Sequence, residues 1–322
     1  MAELQFVSPA DGTTFDIGPG TAATGAQMPV IQAEVCFKGL VPDPTATATF
    51  QWLVSIQFQC ADCRNGRARE INDQFGFTTI GGRASISFPR VRGGQLTIAV
   101  FVDLPAQSYR AQTNELHVRG VNPPVDQVNA ACGSKIVQKM VMHESGCRQF
   151  NAPRAGGISE CPLFSGDRLG GVGLFQVTNP PPTPDDHWDW RANITHGLQI
   201  LAQKQAAATS YPARVRNSSA FQALVERFNS CRNSPAQIVL PDFTPAQLDL
   251  DTVRGYNGWA GNDAFGNVLH EFRVPLDDAG NLMVNVGLDN RGVIQWEQVP
   301  GSGRPQNTGD PNYVANVLAQ TP

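Results

Sequence analysis

Ser134-Lys-Ile-Val-Gln-Lys-Met-Val-Met-His-Glu-Ser-Gly146 is the stretch on which the reading of the fold turns. Ile136, Val137, Met140 and Val141 recur at spacings of three and four, so at about 100° per residue they form one stripe of a helix. Gly146 is a suitable terminator, because glycine enters the left-handed C-cap conformation without strain. Glu144 follows Val137 by seven positions and so falls within about 20° of it around the axis, at the end of the apolar stripe. Partial burial and the negative end of the helix dipole both favour its protonated form. One turn back stand Met140 and Val141, not a Lys or Arg that would oppose them. A protonated carboxyl near neutral pH is what a general acid requires. The competing reading is a glutamate pointing to water from a helix end.

Upstream of this helix the period is two. Pro29-Val-Ile-Gln-Ala-Glu-Val-Cys-Phe37, Phe50-Gln-Trp-Leu-Val-Ser-Ile-Gln-Phe58 and Ala84-Ser-Ile-Ser-Phe88 alternate, and Leu96-Thr-Ile-Ala-Val-Phe-Val102 reads as a more buried strand. Ala10-Asp-Gly-Thr13, Gly81-Gly82 and Arg92-Gly-Gly94 supply turns. About seven short strands in some 120 residues predict an immunoglobulin-like β-sandwich over 1–121. The opening Val7-Ser-Pro-Ala-Asp-Gly-Thr-Thr-Phe15 resembles the first strand of bacterial Ig-like modules. No catalytic constellation stands out in this half, which leaves binding, targeting or spacing as its role. Val121-Asn-Pro-Pro-Val-Asp126 predicts a stiff linker over 122–127, since two prolines continue neither a ladder nor a helix. Residues 128–322 then form the second domain.

Composition narrows the function classes. The chain has 322 residues, 16% of them charged, with a formal charge of −4. Residues 1–121 carry 9 basic and 10 acidic groups, and the rest carry 15 and 18. Neither half has the basic footprint of a nucleic-acid binder. No run approaches the roughly 18 apolar residues of a membrane span. Met1-Ala2-Glu3-Leu4-Gln5 lacks the basic start and apolar core of a signal peptide, which predicts synthesis in the bacterial cytoplasm. Seven cysteines stand at 36, 60, 63, 132, 147, 161 and 231. Cys60-Ala-Asp-Cys63 has zinc-pair spacing, but no second close pair completes four ligands. Disulfides plus one free thiol are the preferred reading, with Cys36 to Cys60 or Cys63, and Cys147 to Cys161, as open pairings. His143, His187, His196 and His270 show no metal-ligand spacing. Neither metal nor cofactor is expected.

His143-Glu-Ser-Gly146, followed by Gly170-Gly-Val-Gly-Leu-Phe-Gln176, resembles the Glu-Ser … Gly-x-Gly-Leu-Met-Gln signature of goose-type lysozymes and soluble lytic transglycosylases, with Phe175 in place of the commoner Met. Three further segments are similar in the same order: Asn193-Ile-Thr-His-Gly-Leu-Gln-Ile-Leu201, Gly255-Tyr-Asn-Gly258 and Asp310-Pro-Asn-Tyr-Val-Ala-Asn-Val-Leu318. The resemblance implies a mainly α lysozyme-like domain over 128–322. Against it, 205–253 and 263–308 are insertions, the second with strand-like stretches at 269–276, 282–286 and 293–299 that predict a small meander. The implied activity is a muramidase cleaving the β-1,4 MurNAc–GlcNAc bond of peptidoglycan.

In that scheme Glu144 is the general acid. Gly166-Asp-Arg168 resembles the goose-type version, so Asp167 would activate water; a turn residue is its competing reading. Ser145 would hydrogen-bond within the site, Gly171 and Gly173 would let backbone approach sugar, and Phe175 would line the cleft. Gln176, Tyr256 and Asn257 would complete the substrate contacts. Asp185 and Asp186 are expected to cap the helix around Trp190. A lytic transglycosylase giving 1,6-anhydro products is an alternative. So are chitin-oligosaccharide cleavage and a non-catalytic wall-binding or phage structural protein with a degenerate lysozyme fold. A wall enzyme without a signal peptide implies a specialised delivery route, by a secretion apparatus or phage component engaging the N-terminal domain. It would act in the periplasm or on the wall of a target cell, and an injected toxin implies an immunity protein in the producer.

Overall fold

The computed structural model describes residues 2–59, 70–151, 161–165, 170–258, 269–272, 276–298 and 309–322. The chain forms two compact units, Met1–Gly197 with Pro322, and Leu198–Thr321.

The first unit opens with ten strands: β1 Glu3–Ser8, β2 Thr14–Thr21, β3 Gly25–Gln27, β4 Ile31–Lys38, β5 Thr49–Gln59, β6 Glu70–Ile80, β7 Arg83–Ile86, β8 Gly94–Leu104, β9 Gln107–Gln112 and β10 Leu116–Gly120. Alternation dictates which face each strand buries. Along β4, Ile31, Ala33, Val35 and Phe37 are buried, and along β5 the same holds for Phe50, Trp52, Val54, Ile56 and Phe58. β1, β4 and β7 make a three-stranded sheet. The other seven strands form a curled sheet in the order β3-β2-β10-β8-β5-β6, with β9 also on β8. The buried faces meet through aromatic rings: Phe37 lies 6.3 Å from Phe50 and 5.0 Å from Tyr109, and Phe6 lies 6.2 Å from Trp52. Each fully buried side chain of this size contributes about 1.5–3 kcal/mol.

Helices α1 Val125–Cys132, α2 Lys135–Ser145 and α3 Pro184–Trp188 follow, and α4 Trp190–Arg216 crosses from one unit's residues into the next. Asn122, Trp188, Asp189 and Trp190 tie this part of the first unit together with its strands. The Asn122 side-chain oxygen Oδ1 accepts the backbone N–H groups of Gln149 and Phe150, both at 2.8 Å. Trp188 stands edge-on to Phe58 at 5.1 Å. Its ring lies so close over Gly93 that any Cβ there would fall 2.1 Å from it. The Trp190 indole donates to the Pro19 carbonyl at 2.6 Å, and Ala26 N–H donates to Asp189 at 3.2 Å.

In the second unit, α5 Ser219–Ser230, β11 Gln237–Val239, α6 Pro245–Tyr256, β12 His270–Phe272, β13 Arg291–Val293, β14 Trp296–Gln298 and α7 Tyr313–Leu318 follow α4. Tyr211, Val215, Phe221, Leu240, Ile294 and Trp296 form its core. Phe243 sits among the rings of Tyr211, Trp296 and His270.

The fold expectation for the second part of the chain is corrected. The part after residue 121 is not clearly mainly α, and the whole is about 33% strand and 30% helix, so a mainly α lysozyme-like second domain is not what forms. Among the described residues, four strands of three residues each, β11 to β14, lie between α5 and α7 on either side of α6, in stretches that carry Val and Ile beside Asp- and Asn-rich turns. Single antiparallel bridges join Leu276 to Leu282 and Val286 to Gly292. β12 pairs antiparallel with β14, while β13 pairs in parallel with the distant β11. The first part is β-rich as expected, and its larger sheet is curled and seven-stranded with a parallel β2–β10 pair. No helix among the described residues is long and apolar enough to cross a membrane.

Candidate functional site

The apolar stripe of α2 is buried as its spacing requires, through Val137, Met140 and Val141. Glu144 is half-buried one residue before the helix ends. Ser145 is buried, and its hydroxyl donates to the Val141 carbonyl at 3.0 Å, so it closes the last helical turn. Gly146 caps the helix at φ 62°, and Cys147 stays in the left-handed region at φ 58°. Two successive left-handed residues turn the chain sharply and deliver Gln149 into the interior, fully buried.

Gln149 and Asn193 together hold the turn at 170–177. The Gln149 amide donates to the carbonyls of Asp186 and His187 at 2.8 and 3.0 Å, and its carbonyl accepts Leu174 N–H at 3.3 Å. Asn193, on α4, accepts Phe175 N–H at 2.9 Å and donates to the Val172 carbonyl at 2.8 Å. Backbone bonds add to this: Leu163 N–H donates to the Gln149 carbonyl, and Gly173 N–H to the Leu163 carbonyl, both at 2.8 Å. Val172 and Val177 pair across the turn. Gly173 has φ 70°, and a Cβ there would meet both buried amides at 2.5–2.7 Å. Its bareness therefore serves the packing of these amides. Phe175 is fully buried, with its ring pressed on the bare backbone of Gly197. Gln176 is half-buried at φ 49° and donates to the Gly173 carbonyl at 2.7 Å.

Beneath the turn, the Asp186 carboxylate accepts the backbone N–H and hydroxyl of Thr183 at 2.6 and 2.8 Å, and bonds His196 Nδ1 at 2.8 Å. Asp186 thus completes a capping box on α3, one helix earlier than expected. Asp185 pairs with the buried Arg92 at 2.6 Å.

Within the first unit, the fold ties the Glu144-Ser145 helix end to the Gly173–Gln176 turn through Gln149, five residues beyond Glu144. Asp167 lies outside the described residues. Tyr256 and Asn257 belong to the second unit. There Tyr256 ends α6 half-buried, and the Asn257 side-chain Oδ1 accepts Asp310 N–H at 2.6 Å, anchoring the approach to α7. Sequence reasoning missed the amide roles of the half-buried Asn122 and the buried Gln149 and Asn193.

Cys147 is a thiol, so the expected Cys147–Cys161 disulfide is not formed; Cys36, Cys132 and Cys231 are thiols as well, and Cys60 and Cys63 lie outside the described residues. Burial pushes the Cys132 thiol up to about 12 and raises that of Cys147. No group of three or more His, Cys, Asp or Glu among the described residues is placed to hold a metal ion. In comparison with known proteins, the chain matches no protein-family model and no curated protein.

Proposed function

We propose that this protein is a peptidoglycan glycoside hydrolase that cleaves the β-1,4 MurNAc–GlcNAc bond. The observation that carries the reading is the tie between two motifs far apart in sequence. The Glu-Ser-Gly helix end and the Gly-Leu-Phe-Gln turn are joined by the fully buried Gln149, which bonds Leu174 N–H. A half-buried carboxyl on a rigid helix end, beside an amide-clamped turn, is a supported position for a proton donor. Glu144 delivers a proton to the leaving glycosidic oxygen, while Asp167 activates the attacking water. In an inverting reaction the two carboxyl groups stand about 6.5–9.5 Å apart. Gln176 offers donor and acceptor to sugar amide groups. The substrate is wall glycan, reached in the periplasm or at the surface of a target cell. The strand-rich part serves as the docking or loading module, and a producer of the injected enzyme carries an immunity protein.

The test is Glu144→Gln on purified sacculi. The expected result is a loss of at least a hundredfold in muropeptide release, with an unchanged thermal midpoint. Full activity in the variant overturns the assignment. Mass spectrometry of the products then fixes the subtype, since reducing ends mean hydrolysis and 1,6-anhydro ends mean transglycosylation.

A further inference from the structure

The seven-stranded sheet ends in β6, which pairs with β5 on one side and, among the described residues, with no strand on the other. An open edge offers a row of backbone N–H and C=O groups to any further strand, and proteins ordinarily guard it with lysines, prolines, bulges or very short strands. β3, at the opposite end, is guarded in this way, with three residues and an irregular register. β6 lacks such guards. Its 11 residues pair with β5 without a break, and Glu70-Ile-Asn-Asp-Gln-Phe-Gly-Phe-Thr-Thr-Ile80 holds neither a proline nor a basic residue. Its two acidic residues, Glu70 and Asp73, stand in the first half, and Asp73 forms an ion pair with Arg92 at 3.2 Å.

The core is only half covered at this edge. On β5, Trp52 and Val54 are at most 2% exposed, whereas the residues opposite them on β6, Phe77 and Phe75, are half-buried. The Phe77 ring stacks on Trp52 at 6.2 Å. Phe75 lies 6.5 Å from Phe77 and 5.7 Å from the half-buried Phe88. A strand added beyond β6 would bring its own inward-facing residues beside these rings.

From these features we infer that β6 pairs antiparallel with β6 of a second copy of this chain, joining the two sheets across a two-fold axis at Gly76. The sequence around that glycine favours a second copy over an unrelated strand. Phe75 and Phe77 flank Gly76 symmetrically. The pairing therefore sets Phe75 opposite Phe77 of the second copy, and Phe77 opposite its Phe75, so that four rings meet on the inner face. On the outer face Gln74 falls opposite Thr78, and Asn72 opposite Ile80, which is 81% exposed in the single chain. Inward and outward residues keep their faces, as a two-fold axis normal to the sheet requires. Charge agrees with this arrangement. Antiparallel pairing sets Asp73 opposite Thr79 and holds the two Glu70 residues at opposite ends, whereas parallel pairing in register would set each acid on its own copy. Residues 72–80 take part over about 27 Å, with about eight to ten new backbone hydrogen bonds. The inference is independent of the wall-cleaving function.

The experiment follows the full chain by sedimentation velocity from dilute to concentrated solution, with amide hydrogen exchange in parallel. The mass is expected to rise with concentration toward that of two chains, and exchange at the β6 amides that face away from β5 is expected to slow as it does. Two variants test the register. Both change exposed residues of the outer face, so the fold is expected to hold, and far-ultraviolet dichroism checks it. Gln74→Lys with Thr78→Lys sets like charges opposite each other twice across the axis and is expected to weaken self-association by about tenfold or more. Gln74→Glu with Thr78→Lys sets opposite charges at the same places and is expected to associate at least as tightly as the parent. A parent chain that stays monomeric at every concentration overturns the inference. So does capture of an extended peptide on β6 by a chain that remains monomeric. A dimer that the two variants leave unchanged, or weaken alike, places the contact elsewhere and overturns it too. Self-association with the expected charge pattern supports the pairing even where Glu144→Gln keeps full wall-cleaving activity.

Discussion

At the scale of single residues, Gly173 is the clearest case of a position set by its neighbours. It holds φ 70° with no room for a Cβ beside Gln149 and Asn193. A left-handed non-glycine residue costs about 1–3 kcal/mol, and displaced buried amides add a similar amount. Gly173→Ala is therefore expected to lower stability by about 2–5 kcal/mol in urea unfolding; a loss below half a kcal/mol would show that the amides give way freely. The glycine was visible in the sequence as part of a motif. Its partners were not, because Gln149 and Asn193 are ordinary polar residues until the chain folds around them. The cysteines give a second test. At pH 8 a thiol pushed up to about 12 holds roughly a thousandfold less thiolate than an ordinary one. Site-resolved alkylation should modify exposed Cys231 within minutes and Cys132 only after unfolding. Equal rates at the two would refute the burial of Cys132.

At the scale of elements, the strongest periodic signals were the legible ones. The stripe Val137, Met140 and Val141 and the alternation in β4 and β5 both appear as buried faces. The short strands after residue 236 were not legible as paired elements, because β11 and β13 join across more than 50 residues and three-residue strands carry no period. The junction of α3 and α4 shows how electrostatics enters at this level. Asp189 accepts N–H groups from Ala26 and Arg191 at the start of α4, and burial raises its pKa against the pull of those bonds. A carboxyl with a raised folded pKa holds its proton more tightly when folded. Stability is therefore present below the unfolded pKa near 3.9 and is lost as pH rises through the folded value. Asp189→Asn keeps the acceptor and removes the charge. It is expected to be more stable than the parent at pH 7, with the advantage fading below about pH 4. Urea midpoints at the two pH values measure this, and a variant less stable at pH 7 would contradict it.

At the scale of the whole molecule, the change of period near residue 122 was legible, but what it separates was not. Pro123 and Pro124 end one kind of element and begin another. The compact unit nevertheless runs on to Gly197, because its second part supplies rings and amides that the strands need. Trp188 covers Phe58 and Gly93, Phe150 lies over Gly120, and Asn122 fixes the chain between them. Periodicity reports which face of an element is buried and carries no information about which other element covers it. A fragment of residues 122–322 would expose Trp188, Phe150 and Trp190, all at most 2% exposed in the intact chain. Removing one buried Trp from its surroundings costs about 3–5 kcal/mol, against a total stability of about 5–15 kcal/mol for a typical domain. The first unit's share of that fragment is therefore expected to lose cooperative unfolding. It should bind a hydrophobic dye and show weak near-ultraviolet dichroism from its tryptophans. A sharp thermal transition in which the Trp188 and Trp190 signals melt as in the full chain would mean that residues 122–197 fold without the strands.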